Sequence, residues 1–575
     1  MTELRVWAPN ARTVDAVVGE QLVPMGRQKD GWWSALADVK SDARYAFRLD
    51  GGDLLADPLA PRQPDGPDAP SQRYDHSEFC WTDAAWPGRP LRGAMIYELH
   101  VGTFTAAGTF DAAIERLDYL VTLGVDFVEL MPVASFPGDR GWGYDGISLW
   151  AVHEPYGGPD GLKRFVTACH ERGLAVLLDV VYNHFGLGNR LADFGPYVTE
   201  AHLTPWGPAV NLDQPGSAQV RQFIIGNALM WLRDYHLDGL RLDAVHAMAD
   251  DSPLHLLAEL AGRVRDLSVR LGRELALVAE SDLNDARLVV PRAQGGYGLT
   301  AQWSDDFHHA VHAAITGEDQ GYYCDFGTMA ALAKTLTSVF FHDGSWSRFR
   351  GRAHGRPVPA GVPAHRFIGY LQNHDQVGNR ATGDRIGATV PLDLLKVGAG
   401  LVLTAPFVPM LFMGEEWGAR TPWQYFTDHP DPALGRAVAE GRQAEFAGHG
   451  WDAGDIPDPQ HTVTFERSTL DWSEASAPGP RELLAWYREL IALRRGRPEL
   501  TDPRLDHVGA AYDEAGRWII VRRGQVRIAA NLGTATRRLE VGAGRGLVMA
   551  ASRPGISLAD GMVSVPPAAL AVVLA

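Results

Sequence analysis

Leu237-Asp-Gly-Leu-Arg-Leu-Asp243 is a short apolar run that ends on a carboxylate. Two more runs have the same form, Leu275-Ala-Leu-Val-Ala-Glu280 and Phe367-Ile-Gly-Tyr-Leu-Gln-Asn-His-Asp375. Runs of this length and composition are typical of buried strands. A carboxylate at the end of such a strand costs stability, because burying an unpaired charge is unfavourable by several kcal/mol. The three acids therefore indicate a polyacidic active site.

Further apolar runs alternate with segments of helical periodicity on both sides of these three. Together they predict eight strands, at 96–100, 125–133, 174–181, 237–242, 275–279, 299–303, 367–371 and 408–412. Helices are predicted at 111–123, at 160–172 with Asp160 as N-cap, at 252–271 and at 480–494. The alternation predicts parallel strands buried on both faces. A closed (β/α)8 TIM barrel accounts for the count, although periodicity alone does not separate it from an open doubly wound sheet.

In such a barrel, active sites form at the carboxyl ends of the strands, where the three acids are expected. The flanking segments look different. Short strand-like runs at 4–7, 13–18 and 45–49 between turn signals predict an N-terminal immunoglobulin-like β-sandwich, and runs at 518–523, 526–530 and 571–574 predict a small C-terminal antiparallel β domain. The predicted fold is α/β with three domains, at 1–90, 91–502 and 503–575.

Composition narrows the class of protein. The chain has 575 residues, 46% of them hydrophobic, which is enough for a large core and two to four domains. With 53 basic and 70 acidic residues, the formal charge of −17 argues against a nucleic-acid partner. The longest apolar stretch, 397–413, is broken by glycines and prolines, so no membrane span is expected. The first residues lack the pattern of a signal peptide and the three cysteines are scattered, which favours a cytoplasmic location.

Three acids at one barrel mouth suit glycoside hydrolysis. Cleavage with retention needs a carboxylate nucleophile and a carboxylic acid that protonates the leaving oxygen, about 5 to 5.5 Å apart. A third acid can raise the proton affinity of the second and hold sugar hydroxyls in the transition state.

Four segments resemble the signature regions of the α-amylase superfamily, in order and on the expected strands. They are Asp179-Val-Val-Tyr-Asn183-His184, Gly239-Leu-Arg-Leu-Asp243, Glu280 after its strand, and Asn373-His374-Asp375. The resemblance covers roughly residues 91–495. It implies that Asp243 is the nucleophile, Glu280 the general acid/base and Asp375 the transition-state stabiliser.

The same resemblance implies a set of substrate contacts. His184 and His374 would hydrogen-bond sugar hydroxyls, Tyr144 would stack on the sugar ring, and Arg241, supported by Asp179, would orient Asp243. The further candidates are His246, Trp303, Asp305, Gln376 and Arg380. For the pair Asp305 and Asp306 two alternatives stay open, a contact to the product sugar through Asp305 or a helix cap by Asp306. Glu415 and Glu416 are expected to line the leaving-group side or to pair with Arg420.

Finer motifs resemble one branch of the superfamily, the maltooligosyltrehalose trehalohydrolases. They are Val6-Trp-Ala-Pro-Asn10, Trp303-Ser-Asp-Asp-Phe-His-His309, Asn373-His-Asp-Gln-Val-Gly-Asn-Arg380, Met413-Gly-Glu-Glu-Trp-Gly-Ala-Arg420 and Pro422-Trp-Gln-Tyr-Phe-Thr-Asp428. This resemblance implies maltooligosyltrehalose as substrate, cleaved at the α-1,4 bond next to its terminal trehalose, and trehalose as product. Branching and debranching enzymes, which also carry a carbohydrate-binding-module-like N-terminal sandwich, are the alternative. A non-catalytic glycan-binding protein would require one of the three acids to be missing.

One departure from the superfamily pattern concerns calcium. Calcium-binding amylases have an asparagine matched by Asn183 and a histidine four residues after the nucleophile, where this chain has Ala247. We therefore expect no metal site and no cofactor.

Overall fold

A closed barrel of eight parallel strands forms the centre of the molecule. The computed structural model describes residues 2–447, 456–542 and 546–575. Each strand of the barrel pairs with the next, and the eighth pairs with the first. The strands are β1 Ile96–Leu99, β2 Phe127–Leu130, β3 Ala175–Val180, β4 Gly239–Leu242, β5 Ala276–Ala279, β6 Ala301–Trp303, β7 Phe367–Tyr370 and β8 Val408–Phe412. All eight predicted strands are present, and the sheet closes instead of remaining open.

Helices connect the strands on the outside of the barrel. The longer ones are Phe110–Ile114, Leu117–Leu123, Gly158–Glu171, Ser217–Asp234, Leu256–Leu271, Asp305–Thr316, Met329–Ser338, Leu392–Thr404, Pro432–Ala447, Thr462–Ser468 and Pro478–Gly496. Shorter helices are Val101–Phe104, Leu191–Phe194, His374–Gly378, Ile386–Thr389 and Pro498–Thr501. The connection from β5 to β6 holds the 3-10 turns Ala286–Leu288 and Arg292–Gln294.

Two details of the predicted helices were wrong. The helix expected at 111–123 is divided, because the Arg116 N–H bonds to the Ala113 carbonyl three residues back and tightens the backbone between the two halves. Asp160 does not cap its helix. That helix starts after Gly157, whose φ of 117° lies in the left-handed region, and Asp160 accepts a 2.7 Å hydrogen bond from the Tyr74 hydroxyl instead.

The interior of the barrel has an apolar layer below a polar one. The apolar layer includes Ile96, Phe127, Leu177, Val278, Ile368 and Met410. Side chains two positions apart on a strand point the same way, so the next inward positions are Glu98 on β1, Glu129 on β2, Asp179 on β3 and Arg241 on β4. All four are buried. Ionisable groups therefore fill the barrel just below its carboxyl-end mouth.

Antiparallel sheets flank the barrel at both ends of the chain. The N-terminal sandwich has one sheet of Thr2–Trp7, Trp32–Ala37 and Gly26–Arg27, and a second of Gln21–Pro24, Val14–Val18, Arg44–Leu49, Leu54–Leu55 and Ser71–Gln72. The C-terminal region has a sheet of Val508–Asp513, Trp518–Arg523, Val526–Asn531, Ala569–Leu574 and Leu547–Ala551, and a second of Arg537–Glu540, Met562–Val565 and Ser557–Ala559. Two-stranded hairpins pair Ala134–Ser135 with Ser148–Val152, Val198–Thr204 with Gly207–Val210, and Trp346–Ser347 with Arg352–Ala353.

A buried histidine ties the segment between sandwich and barrel to the barrel itself. His170 Nδ1 lies 2.8 Å from Asp83 and its Nε2 lies 3.0 Å from Asp238, which immediately precedes β4. Trp86 stacks on the same ring with the centroids 4.6 Å apart. The segment before β1 is therefore fixed to the amino-end face of the barrel, opposite the mouth.

Candidate active site

Two of the three predicted acids share one arginine. Arg241 Nη1 donates to Asp243 at 2.7 Å, and Nη2 of the same side chain lies 3.7 Å from Glu280. The backbone N–H of Ala244 also donates to Glu280, at 2.6 Å. The folding of β4 and β5 as barrel neighbours thus places both acids beside one guanidinium.

Arg241 is buried, with 1% of its surface exposed, and two side chains inside the barrel hold its guanidinium. Its Nη1 donates to both carboxylate oxygens of Asp179, at 2.9 and 2.7 Å. The indole of Trp303 covers the guanidinium at 4.2 Å. Burial raises the pKa of Asp179 to about 6, against the lowering effect of Arg241.

Both oxygens of the Asp243 carboxylate accept a hydrogen bond. Oδ1 is held by Arg241, and Oδ2 accepts from Asn183 Nδ2 at 2.7 Å. Hydrogen bonds at both oxygens fix the orientation of the carboxyl group. Asp243 therefore has the environment that a carboxylate nucleophile needs.

The environment of Glu280 favours its protonated form. Burial raises the pKa of Glu280 well above its usual value, and the nearby charges of Asp243, Asp305 and Asp375 raise it further, while Arg241 opposes them. A carboxyl group that keeps its proton beside a second, oriented carboxyl group suits the role of a general acid.

Asp375 is the most accessible of the three acids, with 48% of its side chain exposed. It lies in the short helix His374–Gly378 that follows β7, and its Oδ1 accepts from Asn379 Nδ2 at 2.9 Å. His374 Nε2 lies 4.0 Å from the same oxygen. The carboxylate is therefore open to a ligand from the mouth of the barrel.

His374 and Tyr144 form one hydrogen-bonded unit. The Tyr144 hydroxyl lies 2.8 Å from His374 Nε2 and donates to Asp179 at 2.6 Å. The two rings stack with their centroids 5.2 Å apart. Glu98 accepts from the His374 backbone N–H at 3.0 Å and also contacts its ring Nδ1. Glu98 was not singled out from the sequence, although a glutamate within an apolar strand was a usable signal.

His184 lies on the other side of Asp243. Its Nδ1 contacts the side-chain oxygen of Asn183, and its ring stacks on Trp206 with the centroids 4.6 Å apart. Trp206 stands at the turn of the hairpin formed by Val198–Thr204 and Gly207–Val210, and 45% of it is exposed. Trp206 was not predicted either, because only the folded hairpin brings it to His184.

The remaining candidates lie around this centre at different depths. Trp303 is 2% exposed and packs on Arg241, so it braces the arginine from inside the barrel and does not present a face to a sugar. The Asp305 carboxylate accepts from the Tyr370 hydroxyl, and burial raises its pKa to about 6. His246 is exposed on the 3-10 turn Val245–Ala247.

Gln376 and Arg380 extend the site beyond Asp375. The Tyr322 hydroxyl donates to Gln376 at 3.3 Å. Arg380 forms a two-pronged pair with Glu318, at 2.9 and 3.0 Å, and a third bond to Asp384 at 2.9 Å. Arg380 is therefore already engaged with two carboxylates.

The contacts argue against three alternatives that the sequence left open. These are a helix cap by Asp306 and either of the two roles expected for Glu415 and Glu416. Asp306 does not cap its helix; it accepts from Asn284 Nδ2 and from the backbone N–H groups of Phe341 and His342, at 2.8 to 2.9 Å, and so braces a loop. Glu415 accepts from the Tyr487 hydroxyl, and Glu416 from those of Tyr97 and Tyr119. Both glutamates are buried, whereas Arg420 is exposed and forms no ion pair with either of them among the described residues.

One group of side chains has the spacing of metal ligands among the residues described. It consists of His202, Asp213 and Asp251, whose ligand atoms lie within 4.8 Å of one another. His202 Nε2 and Asp213 are already hydrogen-bonded at 2.8 Å. Asn183, the residue matched to a calcium ligand, donates to Asp243 as described above.

No helix within 2–447, 456–542 and 546–575 has both the length and the apolar character needed to cross a bilayer.

Comparison with known proteins gives consistent results. The model of the α-amylase catalytic domain matches residues 78–193, and a domain of unknown function, DUF3459, matches residues 503–574. A malto-oligosyltrehalose trehalohydrolase of Mycobacterium tuberculosis is 54% identical over 539 residues, 93% of each chain. One from Saccharolobus solfataricus is 42% identical over 85% of this chain and 84% of its own. The crystal structure of a putative α-amylase from Salmonella typhimurium superposes with a TM-score of 0.91 at 38% identity, over 100% of this chain and 97% of the other.

Proposed function

The chain belongs to the malto-oligosyltrehalose trehalohydrolases, glycosidases of the α-amylase family, and from this we propose that it hydrolyses the α-1,4-glucosidic bond next to the terminal trehalose of maltooligosyltrehalose. The products are trehalose and a shortened maltooligosaccharide. The observation that carries the proposal is the arrangement of Asp243 and Glu280 about Arg241.

In the first step, the protonated Glu280 gives its proton to the glycosidic oxygen while Asp243 attacks the anomeric carbon. The bond from that carbon to oxygen breaks as the bond to the Asp243 carboxylate forms, and trehalose leaves. In the second step, Glu280, now ionised, takes a proton from water, and the water oxygen displaces Asp243. Two displacements at one carbon retain its configuration.

Both acids lie against one guanidinium, at 2.7 and 3.7 Å from its terminal nitrogens. Retaining enzymes keep their carboxyl groups about 5 to 5.5 Å apart, whereas inverting enzymes need room for a water between them. We assign the retaining route from the family motif, which supplies a nucleophile, a general acid/base and a stabilising acid. Asp375, open to the mouth, is assigned to sugar hydroxyls and to the positive charge that develops at the anomeric centre.

The other residues divide into sugar contacts and supports. Tyr144, His184 and His374 are assigned to the sugar that Asp243 attacks, and Asp305 to the trehalose side. His246, Gln376 and Arg380 are assigned to outer parts of the substrate. Trp303, predicted as a substrate contact from its motif, is assigned instead to the support of Arg241 because its ring is buried.

The order of the sheets along the chain supports a division into three domains. We propose domain boundaries near residues 90 and 502, since the last strand of the sandwich is Ser71–Gln72, β1 starts at Ile96, and the C-terminal sheets begin at Val508.

We also propose a cytoplasmic location and a role in trehalose formation. Free thiols at Cys80, Cys169 and Cys324 fit a reducing compartment, and the charge of −17 fits a neutral sugar better than a nucleic acid.

The test uses two substrates. The purified enzyme is incubated with maltooligosyltrehalose or with amylose, and the products are separated by chromatography. Trehalose released from the first substrate, with little change in the second, is the expected result. New α-1,6 branches in amylose would identify a branching enzyme, and no turnover of either substrate would identify a glycan-binding protein.

A further inference from the structure

Two glutamates lie side by side in the polar layer of the barrel. Glu98 on β1 and Glu129 on β2 are register partners, both point inward, and each is 1% exposed. Their surroundings differ. Glu98 is bound to His374, whereas neither carboxyl oxygen of Glu129 has a hydrogen-bond partner among the described residues.

The contacts of Glu98 define the protonation of His374. Tyr144 has one hydroxyl proton and gives it to Asp179, so at the 2.8 Å contact to His374 the ring Nε2 must be the donor. Glu98 accepts the His374 backbone N–H at one oxygen, and its other oxygen faces ring Nδ1, where we assign the ring N–H as the donor. Both ring nitrogens therefore carry a proton, and the ring is an imidazolium.

The electrostatic surroundings of His374 also favour the ring with both nitrogens protonated. Burial on its own would lower the pKa of His374, but the charge of Glu98 and its hydrogen bond raise the pKa above the usual value. The other charged or titratable groups that act on the ring are Asp375, Arg241, Asp179, Tyr144 and His100. For Glu129, burial and the neighbouring charges act in the same direction. Burial raises the pKa of Glu129 well above the usual range, and the charges of Glu98 and Asp179 raise it further.

We propose that Glu98 is a positioning residue for the proposed hydrolysis, which holds His374 by its backbone N–H and ring Nδ1 and keeps it a cation beside Asp375, while Glu129 stays neutral. The inference rests on the proposed function for its link to turnover. The cation has two effects: it anchors Tyr144 against Asp179, and it lies 4.0 Å from the carboxylate that faces the sugar. A neutral ring would remove the positive charge that lies between Glu98 and Asp375.

The neighbouring glutamates provide a matched pair of variants. In Glu98→Gln the amide cannot accept both N–H groups of His374 and carries no charge, so we expect kcat to fall roughly tenfold to a hundredfold, as for other residues that orient the histidine of a site. KM should change little, because the effect is on the transition state. Glu129→Gln replaces a neutral group by a neutral group of the same size, so its kcat should stay within about twofold of wild type. Equal losses in the two variants, or wild-type kcat in Glu98→Gln, would overturn the proposal.

A second measurement does not depend on turnover. In the ¹⁵N spectrum of histidine-labelled wild-type enzyme at pH 7, both ring nitrogens of His374 should have the shifts of protonated nitrogens, with the signals assigned by their loss in His374→Gln. One unprotonated nitrogen would overturn the proposal, even if Glu98→Gln does not fold. Because no substrate is present, this result is separable from a failure of the wild-type enzyme to release trehalose.

Discussion

Asn183 donates two hydrogen bonds to Asp243, at 2.7 Å to the carboxylate and at 2.8 Å to the main-chain carbonyl of the same residue. The amide thus fixes both the side chain and the backbone of the proposed nucleophile. Its other side-chain atom, Oδ1, contacts His184. Asn183, in the loop that follows β3, therefore sets the geometry of two groups that are assigned to the sugar.

Asn183→Ala should impair turnover without loss of the fold. A hydrogen bond to a charged group contributes about 1.5 to 3 kcal/mol, so kcat should fall roughly tenfold to 150-fold. The control is Asn189→Ala, since the side-chain hydrogen bonds of Asn189 to described residues are local, to Gly186 and Leu191. Steady-state kinetics on maltooligosyltrehalose measure both, and equal kcat values for the two variants would contradict the role of Asn183.

Asp243→Asn and Glu280→Gln should each lower kcat by roughly a thousandfold or more, about 4 kcal/mol of barrier. Circular dichroism should show both variants folded, and Asp266→Asn, at an exposed helical position, serves as the control. A glycosyl fluoride separates the two roles, because fluoride leaves without a proton. It should restore formation of the intermediate in Glu280→Gln and have no effect in Asp243→Asn; the reverse pattern would exchange the assignments.

Asp305→Ala and Asp306→Ala should separate specificity from stability at adjacent positions. Asp305 faces the site, so its loss should lower the preference for trehalose-ended chains over plain maltooligosaccharides, with a smaller fall in kcat than for the catalytic acids. Asp306 accepts three buried hydrogen bonds, so its loss should lower the free energy of unfolding by about 3 kcal/mol. Unchanged selectivity in Asp305→Ala would assign that residue to structure.

His170 should make stability depend on pH. Burial lowers its pKa, but the hydrogen bonds that the ring N–H groups donate to Asp238 and Asp83 raise it above the usual value. A raised folded-state pKa contributes stability that is fully present below the unfolded value of about 6.5 and is lost as pH rises through the folded value. The stability advantage of wild type over His170→Gln should therefore be larger at pH 6 than at pH 9.

Denaturant unfolding at the two pH values measures that difference. His507→Gln is the control, because His507 is 44% exposed. An advantage of His170 that stayed constant or grew toward pH 9 would mean that the buried ring is neutral in the folded protein.

Removal of metal should have little effect on the protein. Asn183 is committed to Asp243, and His202 to Asp213, so we expect the melting temperature with chelator to stay within about 2 °C of that without. Elemental analysis of the purified enzyme provides a second readout. A stoichiometric divalent ion whose removal lowers the melting temperature by more than about 5 °C would contradict the absence of a structural metal.

The barrel strands could be predicted closely because a strand buried on both faces is a continuous apolar run bounded by turns. Phe367–Tyr370 and Val408–Phe412 match the expected positions to within one residue. Closure of the sheet could not be predicted by periodicity, since open and closed parallel sheets bury their strands in the same way. The break at Arg116 depends on one local backbone hydrogen bond, which the apolar pattern across 111–123 does not reveal.

The site was predictable where a polar group ends an apolar strand and unpredictable where tertiary contacts decide. Asp243 and Glu280 follow their strands directly, so their positions are given by the barrel geometry. Glu98 lies inside its strand, and its importance depends on His374, which is 276 residues away in sequence. Trp303 and Asp306 have the residue types of ligand contacts, but their burial and partners are properties of the folded chain.

The position of Arg241 between the two acids has a consequence for the whole catalytic cycle. In the proposed mechanism, Asp243 is the anion before cleavage and Glu280 carries the proton, whereas in the covalent intermediate Asp243 is an ester and Glu280 is the anion. The total charge next to the guanidinium is therefore the same in both states and only changes sides. Arg241 can remain still throughout, and the barrel does not have to reorganise its buried dipoles between the two half-reactions.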